Sequence, residues 1–85
     1  MPTPKSNRYI GEAELPSRME KNGLTYYKIC VYSTKGENSY GGHLRIGENN
    51  HGRISYLKRI DVGPLPTIFE VVTKLLLIYY SRNER

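Results

Sequence analysis

The sequence predicts an α+β fold, a four-stranded antiparallel β-meander with one C-terminal α-helix packed on one face. Three observations carry that reading. Apolar residues alternate at period two in four stretches between Tyr9 and Val62, and Asn- and Gly-containing segments separate them. The pattern then changes after Gly63-Pro64-Leu65-Pro66. Short loops between successive strands make an antiparallel meander the natural connection.

Residues 1–7 hold two prolines among polar side chains and predict a flexible arm ahead of a single domain, 8–85. Tyr9–Leu15 offers the first strand, with Tyr9, Gly11, Ala13 and Leu15 on one face and Ile10, Glu12 and Glu14 on the other. Pro16 cannot donate to a ladder, so it marks the end of that strand or an edge. Asn22-Gly23 supplies the two positive-φ positions of a type I′ hairpin. In Leu24–Ser33, Thr25, Tyr27, Ile29 and Val31 point inward while Leu24, Tyr26, Lys28, Cys30 and Tyr32 point outward.

Lys35-Gly-Glu-Asn38 makes the next turn, and Ser39–Gly47 the third strand, with Tyr40, Gly42, Leu44 and Ile46 inward. Ser39, Gly41, His43 and Arg45 then face outward, and the adjacent glycines suggest a bulge or a close approach by another backbone. Glu48–Gly52 closes the third hairpin. Arg53–Val62 is the fourth strand, with Ile54, Tyr56, Ile60 and Val62 inward and Arg53, Ser55, Leu57 and Arg59 outward; Lys58 breaks the inward set.

Thr67-Ile-Phe-Glu70 reads as a capping box and starts a helix running to about residue 81–83. Ile68, Val71, Val72, Leu75 and Tyr79 form its core stripe. Phe69, Leu76, Leu77, Ile78 and Tyr80 widen the apolar surface beyond what one small sheet covers. Phe69, Leu76, Leu77 and Tyr80 are therefore the expected interface of a homodimer. The competing reading makes Val71–Tyr80 a fifth, buried strand, because β-branched and aromatic residues are common in it.

Thirteen Lys and Arg against eight Asp and Glu give a net charge of +5, which favours polyanionic partners. The single cysteine, Cys30, excludes an internal disulfide and a four-cysteine zinc site and fits a reducing, cytoplasmic setting. No apolar run approaches the roughly 20 residues of a membrane span, and the N-terminus lacks the apolar core of a signal peptide. His43 and His51 are the only imidazoles. Nothing in the spacing of Cys30, His43 and Asp61 supports a nucleophilic site, and no local ligand pair supports a metal. The expectation is a non-catalytic protein without cofactor or metal.

One constellation has a mechanism. Tyr26, Lys28, Tyr32, His43, Arg45, Arg53 and Arg59 share the outward face. Cations attract phosphates, and flat rings accept stacked bases with little regard for sequence. Single-stranded DNA or RNA is the leading partner. The bland reading is that Lys and Arg solvate an exposed sheet while Tyr follows its strand propensity. The alternative function is a small interaction protein of the phage or viral type that binds and blocks an acidic host protein.

The order of four antiparallel strands and a helix over residues 8–82 is similar to the single-stranded-DNA-binding fold of the Whirly and transcriptional-coactivator families. It is a likeness of architecture, not of motif. Leu65–Val72 with Tyr79-Tyr80-Ser81 also resembles the second helix of Src-homology-2 phosphotyrosine-binding domains, and Gly42–Ile46 their central strand. That resemblance would put the phosphate-binding arginine at Arg18. A second register, matching Ser33-Thr-Lys35 to the loop after that arginine, puts Cys30 there instead. Phosphopeptide binding through Arg18 and Arg45 is the minor alternative it implies.

Overall fold

The computed structural model describes residues 8–21, 23–34 and 38–82. Four strands, β1 (Arg8–Glu20), β2 (Gly23–Ser33), β3 (Tyr40–Asn50) and β4 (Arg53–Leu65), precede one helix, α1 (Ile68–Arg82). The sheet runs β1-β2-β3-β4 with every pair antiparallel, which is the meander the alternation predicts. Residues 71–80 are helix, so the fifth-strand reading is wrong. The expected arm, residues 1–7, lies outside the described residues.

Two hairpins follow local chemistry. His51 and Gly52 both take positive φ, 53° and 83°, between the paired residues Asn50 and Arg53. That is the type I′ geometry expected of Asn22-Gly23. At the first hairpin Gly23 has φ 120° and already pairs with Glu20 as the first residue of β2, while Asn22 lies outside the described residues. The predicted turn at residues 35–38 is described only at Asn38, and the Thr34 N–H closes the loop on the Ser39 carbonyl at 2.8 Å.

Both edge strands are longer than the sequence suggests. β1 continues through Pro16 because an edge strand tolerates a missing donor, and a bulge between Leu15 and Arg18 absorbs it. β4 likewise continues through Pro64 to pair Leu65 with Tyr40. Bulges reset which face a side chain takes, since the strand period is two. The one near Ile10 moves Tyr9 to the face of Glu12 and Glu14, away from Gly11, Ala13 and Leu15.

α1 begins at the predicted cap, with the Glu70 carboxylate engaging the Thr67 hydroxyl and not a backbone N–H. The Thr67 hydroxyl accepts the Glu70 N–H at 3.1 Å and donates to the Glu70 carboxylate at 3.1 Å. Val71, Leu75 and Tyr79 then meet Tyr27, Ile29 and Val31 of β2 and Leu44 and Ile46 of β3 in one core. Fully burying such a side chain contributes about 1.5–3 kcal/mol. Tyr27, Leu44, Val71 and Leu75 are its most deeply buried members. Ile68, expected in the core stripe, is 39% exposed, because it stands in the first turn at the rim of the contact.

Arg18 fastens the far end of α1 to β1. Its guanidinium lies 3.7 Å from the Tyr79 ring centre and 5.1 Å from that of Tyr27, and Nη2 donates to the Tyr79 carbonyl at 2.9 Å. That carbonyl is among the last four of the helix, which have no partner within it. The Tyr79 hydroxyl returns a bond to the Pro16 carbonyl at 2.7 Å, and the Tyr27 hydroxyl donates to Glu20. Burial, followed by the bond to Glu20, raises the Tyr27 phenol above its ordinary pKa.

Candidate nucleic-acid interface

The face opposite α1 is organised in transverse rows, because directly opposed residues of an antiparallel sheet stand side by side. One row reads Tyr9, Tyr32, Gly41. The next reads Glu12, Cys30, His43, Asp61, the third Glu14, Lys28, Arg45, Arg59, and the fourth Tyr26, Gly47, Tyr56. Successive rows are two residues apart, or about 7 Å.

The outer glycines of β3 serve as floors for tyrosine rings. A Cβ at Gly41 would sit 2.9 Å from Tyr32 Cε1, and a Cβ at Gly47 would sit 2.8 Å from Tyr56 Cδ1. Each ring occupies the space a side chain on β3 would fill, so one ring from β2 and one from β4 lie across the middle strand. The two floors are six residues apart, about 20 Å along the strand.

Between the rings, Lys28, Arg45 and Arg59 stand directly opposite one another on three neighbouring strands. Like charges so placed are destabilising. Carboxylates relieve the two outer members: Lys28 pairs with Glu12 at 3.4 Å and Arg59 with Asp61 at 3.3 Å. Arg45 has no carboxylate within ion-pair distance among the described residues, and its Nε donates to His43 Nε2 at 3.2 Å. A shallow groove of about 250 Å³ lies at the β4 end of the row, beside the bulge in that strand, lined by Arg45, Tyr56, Leu57, Lys58 and Arg59. The Lys28 ammonium lies 4.8 Å from the Tyr56 ring centre, a cation–π distance.

The Cys30, His43 and Asp61 that spacing did not connect stand in one row. Asp61 lies 3.8 Å from His43 Nδ1, and the Cys30 thiol donates to Glu12 at 3.7 Å. Because His43 Nε2 accepts from Arg45, the imidazole proton belongs on Nδ1, facing Asp61. Burial, reinforced by Arg45 and Arg59, lowers the His43 pKa. Burial raises the Cys30 thiol, with Arg45 pulling the other way and Glu12 adding to the rise. The thiol is therefore protonated at neutral pH, the opposite of an activated nucleophile. Burial works to raise Glu12, but the charge of Lys28 and hydrogen bonds from Lys28, Cys30 and Tyr9 hold its carboxyl below the ordinary range. No cluster of three or more potential metal ligands occurs among the described residues. The row extends across three strand spacings, about 14 Å, too far for Glu12 and Asp61 to share an ion.

Of the seven residues predicted for this face, Tyr26, Lys28, Tyr32, His43, Arg45 and Arg59 are on it and Arg53 is not. A bulge at Leu57, between the pairs Ile46–Lys58 and Gly47–Tyr56, shifts the alternation by one. Arg53 and Ser55 thereby turn to the helix side, and Ile54 and Tyr56 turn outward. Tyr56 is the site residue that sequence reasoning missed. Gly47 was the available signal, since a strand glycine marks a close approach. Arg18 and Arg45 lie on opposite faces of the sheet, so one phosphate cannot bridge them. Six charged residues occupy the outer face among those described, three of each sign, so its net charge is zero, with all three cations side by side in the third row.

Phe69, Leu77 and Tyr80 are exposed, and Leu76 is half-buried. No described helix is long and apolar enough to cross a membrane. No protein-family model, curated protein or solved structure matches the chain.

Proposed function

We propose that the protein is a non-catalytic binding module whose outer sheet face takes single-stranded nucleic acid, with base stacking contributing more to affinity than phosphate contact. The observation that supports this reading is the cation row Lys28–Arg45–Arg59 set between two glycine-floored tyrosine rings. A phosphate over Arg45 would relieve three mutually repelling charges, while Tyr32 and Tyr56 offer ring faces to bases on either side. The zero net charge of the face argues for a shallow salt dependence. The log–log slope should lie between about −0.7, with Arg45 acting alone, and about −2, with all three cations engaged.

Fluorescence anisotropy with a labelled homopolymeric oligonucleotide across a salt series tests this. Tyr56→Ala should weaken binding by about 1–3 kcal/mol and leave the slope unchanged. Arg45→Ala should weaken binding and flatten the slope by about 0.7. Absence of binding at low salt would overturn the reading. It would favour the second one, an interaction protein that occupies an acidic host protein. The composition of the face supports that alternative, since tyrosine and arginine at zero net charge are the residues that anchor protein interfaces.

A further inference from the structure

α1 carries two apolar seams, and its own sheet covers only one. Val71, Leu75 and Tyr79 face the sheet. Phe69, Thr73, Leu76 and Tyr80 follow one another at intervals of four, three and four on the other side, with Leu77 beside them. That spacing keeps a single stripe along a helix and is the seam of paired helices. Phe69 is 77% exposed, Leu77 63% and Tyr80 62%. Together these side chains leave on the order of 400 Å² of apolar surface in one stripe, as large as the largest patch of a typical monomer.

We infer that this seam is a homodimer interface in which α1 packs against α1 of a second copy. The stripe is self-complementary. A twofold axis through its middle, between Thr73 and Leu76, sets the helices antiparallel. Phe69 then meets the second copy's Tyr80, and the small Thr73 leaves room for its Leu76. Doubling the stripe buries about 800 Å² of apolar area, and the flanking Val72 and Glu70 bring the total closer to the roughly 1,200 Å² at which stable interfaces begin. Antiparallel pairing also sets each helix's positive end beside the other's negative end. The chain's own residues 1–7 are a poor substitute, because Met1 is their only large apolar side chain besides two prolines. The seam lies on the opposite side of the molecule from the tyrosine face, so the dimer stands whatever that face binds.

Sedimentation equilibrium of the full chain across micromolar concentrations tests the inference, with Phe69→Lys and Leu77→Glu as variants. Both positions are exposed, so near-ultraviolet circular dichroism should show the native fold in each. Wild type should be a dimer, each variant should dissociate at least 100-fold more readily, and oligonucleotide affinity per protomer should not change. A wild-type monomer throughout the range would overturn the inference. So would folded variants that remain dimeric, since some other surface would then join the copies.

Discussion

β3 is pressed from both sides, and its two faces use glycine for different ends. On the helix side a Cβ at Gly42 would come within 2.5 Å of the Cys30 carbonyl, 2.9 Å of Val71 and 3.0 Å of Leu75. The missing side chain lets α1 sit down on the sheet. On the outer side Gly41 and Gly47 admit the rings of Tyr32 and Tyr56, which lie half-exposed. One face omits side chains to pack a core, and the other omits them to make room for rings on the solvent side. The first arrangement stabilises the fold, and the second shapes a surface. Opposed cations make that surface cost stability.

That contrast can be broken most severely at Gly42. Gly42→Val would force its side chain into backbone and helix together. It should destabilise the protein by about 3 kcal/mol, at the upper end of overpacking costs, read as a lowered urea midpoint. A neutral result would mean that α1 does not dock where Val71 and Leu75 meet β3.

Gly41→Ala should separate the two roles more finely. The nearest atoms are mostly the far end of Tyr32, which can lift away, so stability should fall by only about 1 kcal/mol. Oligonucleotide affinity should fall about tenfold, because a displaced ring no longer presents its face. A stability loss of about 3 kcal/mol, as expected at Gly42, or an unchanged oligonucleotide affinity, would erase the distinction between the faces.

The smallest effect belongs to His43. Asp61, Arg45 and Arg59 are the charged groups around it, with the Cys30 thiol and the Tyr32 ring alongside. Burial and the two arginines lower its folded-state pKa beneath the unfolded value of about 6.5. The unfolded chain therefore takes up a proton first as the pH falls. The associated stability is complete above about pH 6.5 and is lost as the pH falls through the folded-state value. His43→Gln should remove that portion of the pH dependence in melts between pH 7 and pH 5. An unchanged profile would assign it to carboxylates instead.

Much of the fold was legible because alternation and capping are local signals. Thr25 to Val31 and Tyr40 to Ile46 face where period two puts them, and Thr67 caps the helix through contacts three residues away. The bulges were not legible. Lys58, a charge among the expected inward residues, was the only irregularity beside Leu57, and it does not by itself name the extra residue, since a bulge is settled by how two strands match over their length. That one offset moved Arg53 off the site and Tyr56 onto it. Gly47, at the predicted end of its strand, held the missing clue, but its meaning needs the partner strand in place.

The sequence by itself determined the order of elements, the inward faces of the two central strands, the helix start and the excess of positive charge. Each depends on spacing along the chain or on a count. Tertiary structure alone decided that the cations stand in one row with two carboxylates tempering its ends, and that tyrosine rings lie over glycines of a neighbouring strand. It also decided that Arg18, a phosphate-binding arginine by one resemblance, is held between Tyr27 and Tyr79 against the helix end. The physical reason is common to all three. Register, bulges and packing fix which side chains meet across strands, and these are properties of pairs that no single stretch of chain encodes.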